Sequence, residues 1–470
     1  MLGWRRSSRT AGQSLKMRIK AAPPDLENFD AGSEQAGDKD LAERLTQLLR
    51  NLEHGSVAIF DGRWGIGKTT FVKRWLAYLK VQGIPSIYLD AFAVDYLESP
   101  FVAIAGAFAK AGEEAKKAGH PNYKAFIDAA AKVGKSLGGT AAKIGVKAVT
   151  LGLIGSSEVE ALGDVKDAVA DALAERAESA VKEVIEQHAK KEKELTQLKD
   201  ELSRFPALLS DIGDNAEIEA PPLVVVIDEL DRCRPDFALG MVESIKHFFG
   251  TDKVHFILVT NREQLVLSVT HKYGSFTTAD EYLRKFYDFQ VLYEQDYSER
   301  GAVQIRHRID ELAESLLEGI SPQERNDIIE YMRPAALAHR LTLRDLENVF
   351  LNLTLAYAAV RSNQFKPALL ITFLALLKTL DPSMYGRAKT GTLSYSDFAA
   401  RMLSQQNWGQ LDIERMRDVF RYHLDPDINL QNEPWSSFGN MEVRYNLGRL
   451  QTLQYLCNSV IDRFAPAQQA

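Results

Sequence analysis

The stretch "DGRWGIGKTT", Asp61 to Thr70, decides how the rest of the chain is read. Gly62, Gly67, Lys68 and Thr69 satisfy the spacing GxxxxGK[ST], in which a glycine-rich turn points backbone N–H groups at an anion where the next helix starts. The context fits. The apolar run Ser56 to Phe60 before it reads as a buried strand, and "TTFVKRWLAYLK" after it reads as a helix. "IPSIYLDAF", just past Gly83 and Pro85, is a second strand, which makes a strand–helix–strand unit of the parallel α/β kind. Gly62, Arg63, Trp64, Gly65, Ile66, Gly67, Lys68, Thr69 and Thr70 are therefore expected to line a nucleotide's phosphates, with Lys68 reaching the β and γ groups and the Thr69 hydroxyl on Mg²⁺.

A partner stretch follows about 160 residues later, "PPLVVVIDELDRCRPD". Leu223 to Ile227 is continuously apolar, as a strand covered on both faces must be. Asp228 at its end is placed to hold Mg²⁺, and Glu229 to polarise a water for attack on the γ-phosphate; a helix-capping carboxylate is the alternative for Glu229. "VHFILVT", Val254 to Thr260, is another buried strand, and Asn261 at its tip is expected either to sense the γ-phosphate or to cap the next helix. Arg232, Arg234, Arg262 and Arg284 are candidates for stabilising charge in the transition state, Arg284 being preferred. No NKxD element of the guanine-reading kind is present, which favours ATP.

Elsewhere the sequence supplies bounds. The 470 residues suggest two or three structural units, and the formal charge of -7 excludes a surface devoted to nucleic acid, leaving only a local contact open. Two isolated cysteines, Cys233 and Cys457, form neither a disulfide framework nor a zinc site and suit a reducing cytoplasm. The first twenty residues are basic but lack the apolar run of a secretory signal; Met17 is an alternative start. Gly138 to Ser156 is apolar but broken by Lys143 and Lys147, which argues against a membrane span. Val165 to Ile185, then Leu195, Leu198 and Leu202, form a helical stripe suited to an internal hairpin or to a coiled-coil contact with another chain. "LQNEPWSSFGNMEVRYN", from Leu430, is either a recognition surface or a packed loop. From about Glu281 onward only helices and loops are expected.

"GRWGIGKTT" together with "VVVIDELDRCRPDFALGMVESIKHFF" resembles the KAP family of P-loop NTPases, as do Trp64 within the loop, the run Asp231 to Pro235, Glu243 and Lys246, and "EYLRKFYDFQ" from Glu281. The resemblance implies an ATP-binding core of the additional-strand type, with one strand between the Walker A and Walker B strands, and a helical insert between the motifs. It also implies a link to defence against phage. Where the family often has Asp, this chain has Asn261, and "HRLTLRDLENVFLNLTLAY" with Arg340 or Arg344 stands where the family has a Pro-Arg-rich stretch.

The resulting expectation is an α/β P-loop core with a parallel sheet at 38–100 and 215–300, a tail at 1–37, a helical insert at 101–214 and a helical region at 301–470. Functionally it is a cytoplasmic, Mg²⁺-dependent ATPase acting as a conformational switch on a protein partner or effector, as a homo-oligomer and without integral membrane insertion. The alternative is a nucleotide-loaded scaffold with negligible turnover.

Overall fold

The computed structural model describes residues 36–117, 119–136, 189–210, 220–248, 250–274, 278–297, 299–318, 320–359, 366–404, 408, 410–430 and 447–463. The basic tail, the apolar segment Gly138–Ser156, the stripe from Val165 to Ile185 and nearly all of the stretch from Leu430 to Asn446 lie outside these residues. By its internal contacts the chain divides into two units, one taking Asp25–Arg63 with Lys68–Glu294, the other combining Trp64–Gly67 with Gln295–Ala470.

The first unit is built on a sheet of five strands, β1 (Val57–Asp61), β2 (Ser86–Asp90), β3 (Leu223–Asp228), β4 (Val254–Thr260) and β5 (Phe289–Leu292), in the order β2-β3-β4-β1-β5. All four pairings are parallel. The additional strand is therefore β4, which separates the phosphate-loop strand β1 from β3. Residues in β3 and β4 are buried throughout, the expected state of central parallel strands sandwiched between helical layers.

Side chains alternate across the sheet and so fill two different cores. Ala58, Phe60, Val224, Val226, Ile257 and Val259 face helices α1 (Ala36–Asn51) and α2 (Lys68–Val81), where Leu45, Leu49, Phe71 and Trp75 complete the layer. Trp75 is 0% exposed, and its indole N–H donates to Thr46 Oγ1 at 3.0 Å, so the two helices are held by apolar contact and by one buried hydrogen bond. On the opposite face, Val57, Ile59, Val225, Ile227, Phe256 and Leu258 meet α3 (Pro100–Glu114), α4 (Pro121–Ser136), α5 (Pro235–Ile245) and α6 (Arg262–Tyr273). Residues 189–203 are also helical, and Leu198 and Leu202 bury into this same core, so the described last third of the apolar stripe packs within its own chain. The Ser136 hydroxyl donates to Glu194, joining the end of α4 to that helix.

The expectation of helices and loops alone after Glu281 is corrected by β5. It pairs with β1 from Ala58↔Phe289 to Asp61↔Leu292. This strand has only four residues, alternately half-buried and exposed, because it lies at the sheet edge and needs no continuous apolar run. It is pinned at both ends: Val57 N–H donates to Asp288 Oδ2 at 2.8 Å, and Tyr293 N–H donates to Asp61 O at 2.7 Å.

The second unit is helical in its described residues. α7 (Glu299–Leu316), α8 (Pro322–Ala338), α9 (Leu343–Ala359), α10 (Ala368–Leu380), α11 (Pro382–Thr390) and α12 (Gln410–Leu424) share one apolar core. α8 begins with a Ser321–Glu324 capping box. α10 is buried from Leu369 to Leu377, as befits a helix that is apolar on all sides and central to its bundle. Among the described residues no helix is long and apolar enough to cross a membrane. Asp462 accepts from Lys378 at 2.9 Å and Lys389 at 2.8 Å, fastening the last turn to α10 and α11.

Trp75→Ala removes the largest buried side chain between α1 and α2 and the hydrogen bond its indole makes to Thr46, whose hydroxyl keeps its own bond to Ala42 O. A loss of about 3–5 kcal/mol is expected, seen as a lower urea midpoint for the sheet-containing unit with little change in slope.

Candidate functional site

In an all-parallel sheet the strand ends that point away from the core are where polar groups can gather, and the motif residues come together there. β1 ends at Asp61, and Gly62 N–H then donates to Thr260 O at 3.2 Å, fixing the turn against the tip of β4. Gly65 (φ +79°) and Gly67 (φ +97°) adopt backbone angles that a side chain would strain, which is why the loop needs glycine at both. Within the helical unit, Arg344 N–H donates to Gly65 O at 3.2 Å, and a methyl group on Gly65 would collide with Arg344 Cβ.

Lys68 begins α2, and its ammonium donates to Gly62 O at 2.5 Å and Arg63 O at 3.1 Å, so it lies along the loop. Burial pushes this ammonium below the usual lysine range, while Asp231, Asp228, Asp61 and Glu229 pull the other way. Its charge is thus costly where it stands and would gain from an anion in the loop. Ile66 is buried, Thr69 and Thr70 are partly buried, and Arg63 and Trp64 face outward.

Asp228 closes β3 and is 1% exposed. Its Oδ1 accepts from Glu229 N–H at 2.8 Å and its Oδ2 from Tyr88 OH at 3.0 Å. Burial raises its pKa, opposed by hydrogen bonds from Thr69, Glu229 N–H and Tyr88. Tyr88 is itself pushed above the ordinary tyrosine range, chiefly by burial and then by the Asp228 charge, so it stays a donor. Glu229 follows in the left-handed region at φ +62°, unusual for a residue with a side chain, and this turns its carboxylate toward α2. Thr69 Oγ1 donates to Glu229 Oε1 at 3.3 Å, and Arg232 Nε lies 2.5 Å from Oε2. Burial raises the Glu229 pKa, opposed first by Arg232.

The structure therefore gathers Gly62, Lys68, Thr69, Asp228 and Glu229, and adds Arg232 to them. Asn261 stands at the tip of β4, where its side chain accepts from Glu263 N–H at 3.1 Å as the cap of α6, and its own N–H donates to Asp231 Oδ2 at 2.9 Å. Arg284 is held elsewhere, at Asp280, 3.3 Å away and 69% exposed. Arg262 also pairs with Asp280, and Arg234 with Asp95. Cys233 is a packed side chain, its thiol pushed up to about 12 mainly by burial.

Three contributors were given no role in the site by the sequence reading. Tyr88 reaches Asp228 because β2 pairs with β3, Asp231 anchors the β4 tip, and Asp61 accepts from both Arg262 N–H and Gln290 Nε2, each at 2.8 Å.

Thr69 and Asp228 offer one hydroxyl and one carboxylate for a metal ion, and among the described residues no group of three or more His, Cys, Asp or Glu side chains could hold one alone. That donor set fits Mg²⁺, which keeps waters and takes further oxygens from a phosphate chain. Gly67→Ala is expected to lower stability by about 1–2 kcal/mol through its positive φ, since Leu343 Cδ1, 3.2 Å from the added methyl, can give way; the urea midpoint without nucleotide checks this.

Comparison with solved structures finds a likeness to the ORC2 protein of Aeropyrum pernix, described as ADPNP-ADP complexes, at 12% identity and TM-score 0.34, covering 93% of this chain and 98% of that one. A DNA replication initiation factor is similar at 11% identity and TM-score 0.26, covering 93% and 97%. No curated protein matches the chain. The family model described as the KAP family P-loop domain matches residues 39–358, well over half of the chain, and this protein belongs to the KAP family of P-loop NTPases.

Proposed function

We propose that this nucleotide-binding NTPase binds ATP with Mg²⁺, hydrolyses it, and uses the cycle to change its contacts with a protein partner. The observation that carries the reading is the convergence of Lys68, Thr69, Asp228 and Glu229 at the ends of β1 and β3. Mg²⁺, when bound, would shield charge on the β and γ phosphates, held by Thr69 and Asp228. Backbone N–H groups of the loop and Lys68 bind and orient the phosphates. Glu229 accepts a proton from a water whose oxygen bonds to the γ-phosphorus. The bond from that phosphorus to the β,γ-bridging oxygen breaks, its electron pair leaves with ADP, and the proton passes from Glu229 to the released phosphate or to solvent.

The switch part of the proposal rests on the phosphate loop itself. Trp64–Gly67 group with the helical unit, and Gly65 O accepts from Arg344 N–H there, so a loop that reshapes around phosphate would be felt by α9. A cytoplasmic homo-oligomer acting in anti-phage defence is the setting we propose for it, by likeness to the family. The scaffold reading, in which ATP is bound but hardly turned over, is favoured by one observation: both oxygens of Glu229 are already engaged.

Phosphate release and ATP affinity measured together separate the two. Glu229→Gln is expected to retain binding and lose about 10²–10⁴-fold in kcat. Lys68→Ala is expected to weaken binding by roughly 10–100-fold. A parent protein that binds ATP and releases no more phosphate than Glu229→Gln would make the scaffold the better reading. Tyr88→Phe, which strips Asp228 of a donor, is expected to raise the Mg²⁺ concentration for half-maximal phosphate release by about tenfold. An unchanged Mg²⁺ titration would reduce Tyr88 to a packing role.

A further inference from the structure

Glu229 would have to take a proton from water, yet its carboxylate has no oxygen without a donor: Thr69 Oγ1 lies 3.3 Å from Oε1, and Arg232 Nε lies 2.5 Å from Oε2. The backbone that presents it is fixed. Arg232 N–H donates to Glu229 O at 3.1 Å, Cys233 Sγ to the same oxygen at 3.5 Å, Leu230 is fully buried, and Asp231 is tied to Asn261 N–H. The Arg232 side chain is different in kind, 40% exposed and reaching back over its own turn. Of the four arginines around the motif, Arg232 alone pairs with a carboxylate of the site among the described residues, since Arg234 is engaged at Asp95 and Arg262 and Arg284 at Asp280.

We infer that Arg232 is a positioning residue that holds Glu229 in a resting arrangement, and that hydrolysis requires this ion pair to open. The inference rests on the reading of Glu229 as the proton acceptor. Two physical points support it. The guanidinium takes one lone-pair direction of Oε2 and fixes how the carboxylate is turned, so that direction opens to water only when the pair opens. A partly exposed ion pair within one turn is also weak enough to open on each turnover, because the freed guanidinium is solvated where it stands. The pair therefore restrains the site without disabling it. The same arrangement accounts for a protein that binds nucleotide and idles until a partner draws Arg232 away.

The test is steady-state ATP hydrolysis by the full chain, with kcat, KM and ATP affinity, for the parent, Arg232→Ala, Arg232→Lys, Glu229→Gln and the Arg232→Ala/Glu229→Gln double variant. Arg232→Ala is expected to raise kcat roughly two- to fivefold with KM unchanged, the range set by opening a partly exposed ion pair. Arg232→Lys, which keeps the charge, is expected to stay near the parent, and the double variant to be as slow as Glu229→Gln. A fall in kcat for Arg232→Ala with ATP affinity intact would overturn the proposal and make Arg232 a group that stabilises the transferring phosphate. An unchanged kcat, with the parent active and Glu229→Gln inactive, would overturn the restraint and leave the hydrolysis reading standing. If parent and Arg232→Ala both bind ATP and neither releases phosphate, both readings fall together. A silent parent with an active Arg232→Ala would support the restraint in its strongest form.

Discussion

Burial of the central strands on both faces is the constraint from which the rest follows. With α1 and α2 on one side and α3 to α6 on the other, β3 and β4 have no surface at which a charged side chain could meet water. Charged groups are therefore displaced to the strand ends, where Asp61 and Asp228 stand on either side of the neutral Asn261 on neighbouring tips. The position of the carboxylates beside Lys68 and Thr69 needs no separate device. It is the consequence of where β4 inserts between β1 and β3.

The strand ends are joined to one another as well as to the loop. Asp61 accepts from Arg262 N–H and from Gln290, which links β1 to the start of α6 and to β5. Asp231 links the turn after β3 to the tip of β4, and Tyr88 links β2 to Asp228. Each of these is a hydrogen bond to a charged group, the stronger class, so all five strands are joined into one connected polar layer. Within that layer Glu229 is the residue under backbone strain, and its side chain meets an exposed partner, Arg232.

How much of this was legible in the sequence follows from which interactions are local. β1, β3 and β4 show as continuous apolar runs because both of their faces are covered, and the loop shows because its chemistry lies within nine residues of chain. Lys68, Thr69, Asp228 and Glu229 could therefore be named directly, and the structure brings them together. β5 could not be seen, because a four-residue edge strand has no run to display. Tyr88, Asp61 and Asp231 escaped for another reason: their partners are set by strand order and register, which no window of sequence contains. Arg284 shows the same limit from the other side, since its charge was visible and its engagement with Asp280 was not.

The hydrogen bond between Ser136 and Glu194 bears on how this chain can change length. It brings the end of α4 next to the helix that returns to the core, so Ser136 and Glu194, 58 positions apart in sequence, are neighbours in space. Closing such a loop costs entropy that grows only with the logarithm of its length, about 0.6 kcal/mol for each doubling. By this measure the packing of Leu198 and Leu202 beside α4 sets only a weak limit on the length of chain that joins the two helices.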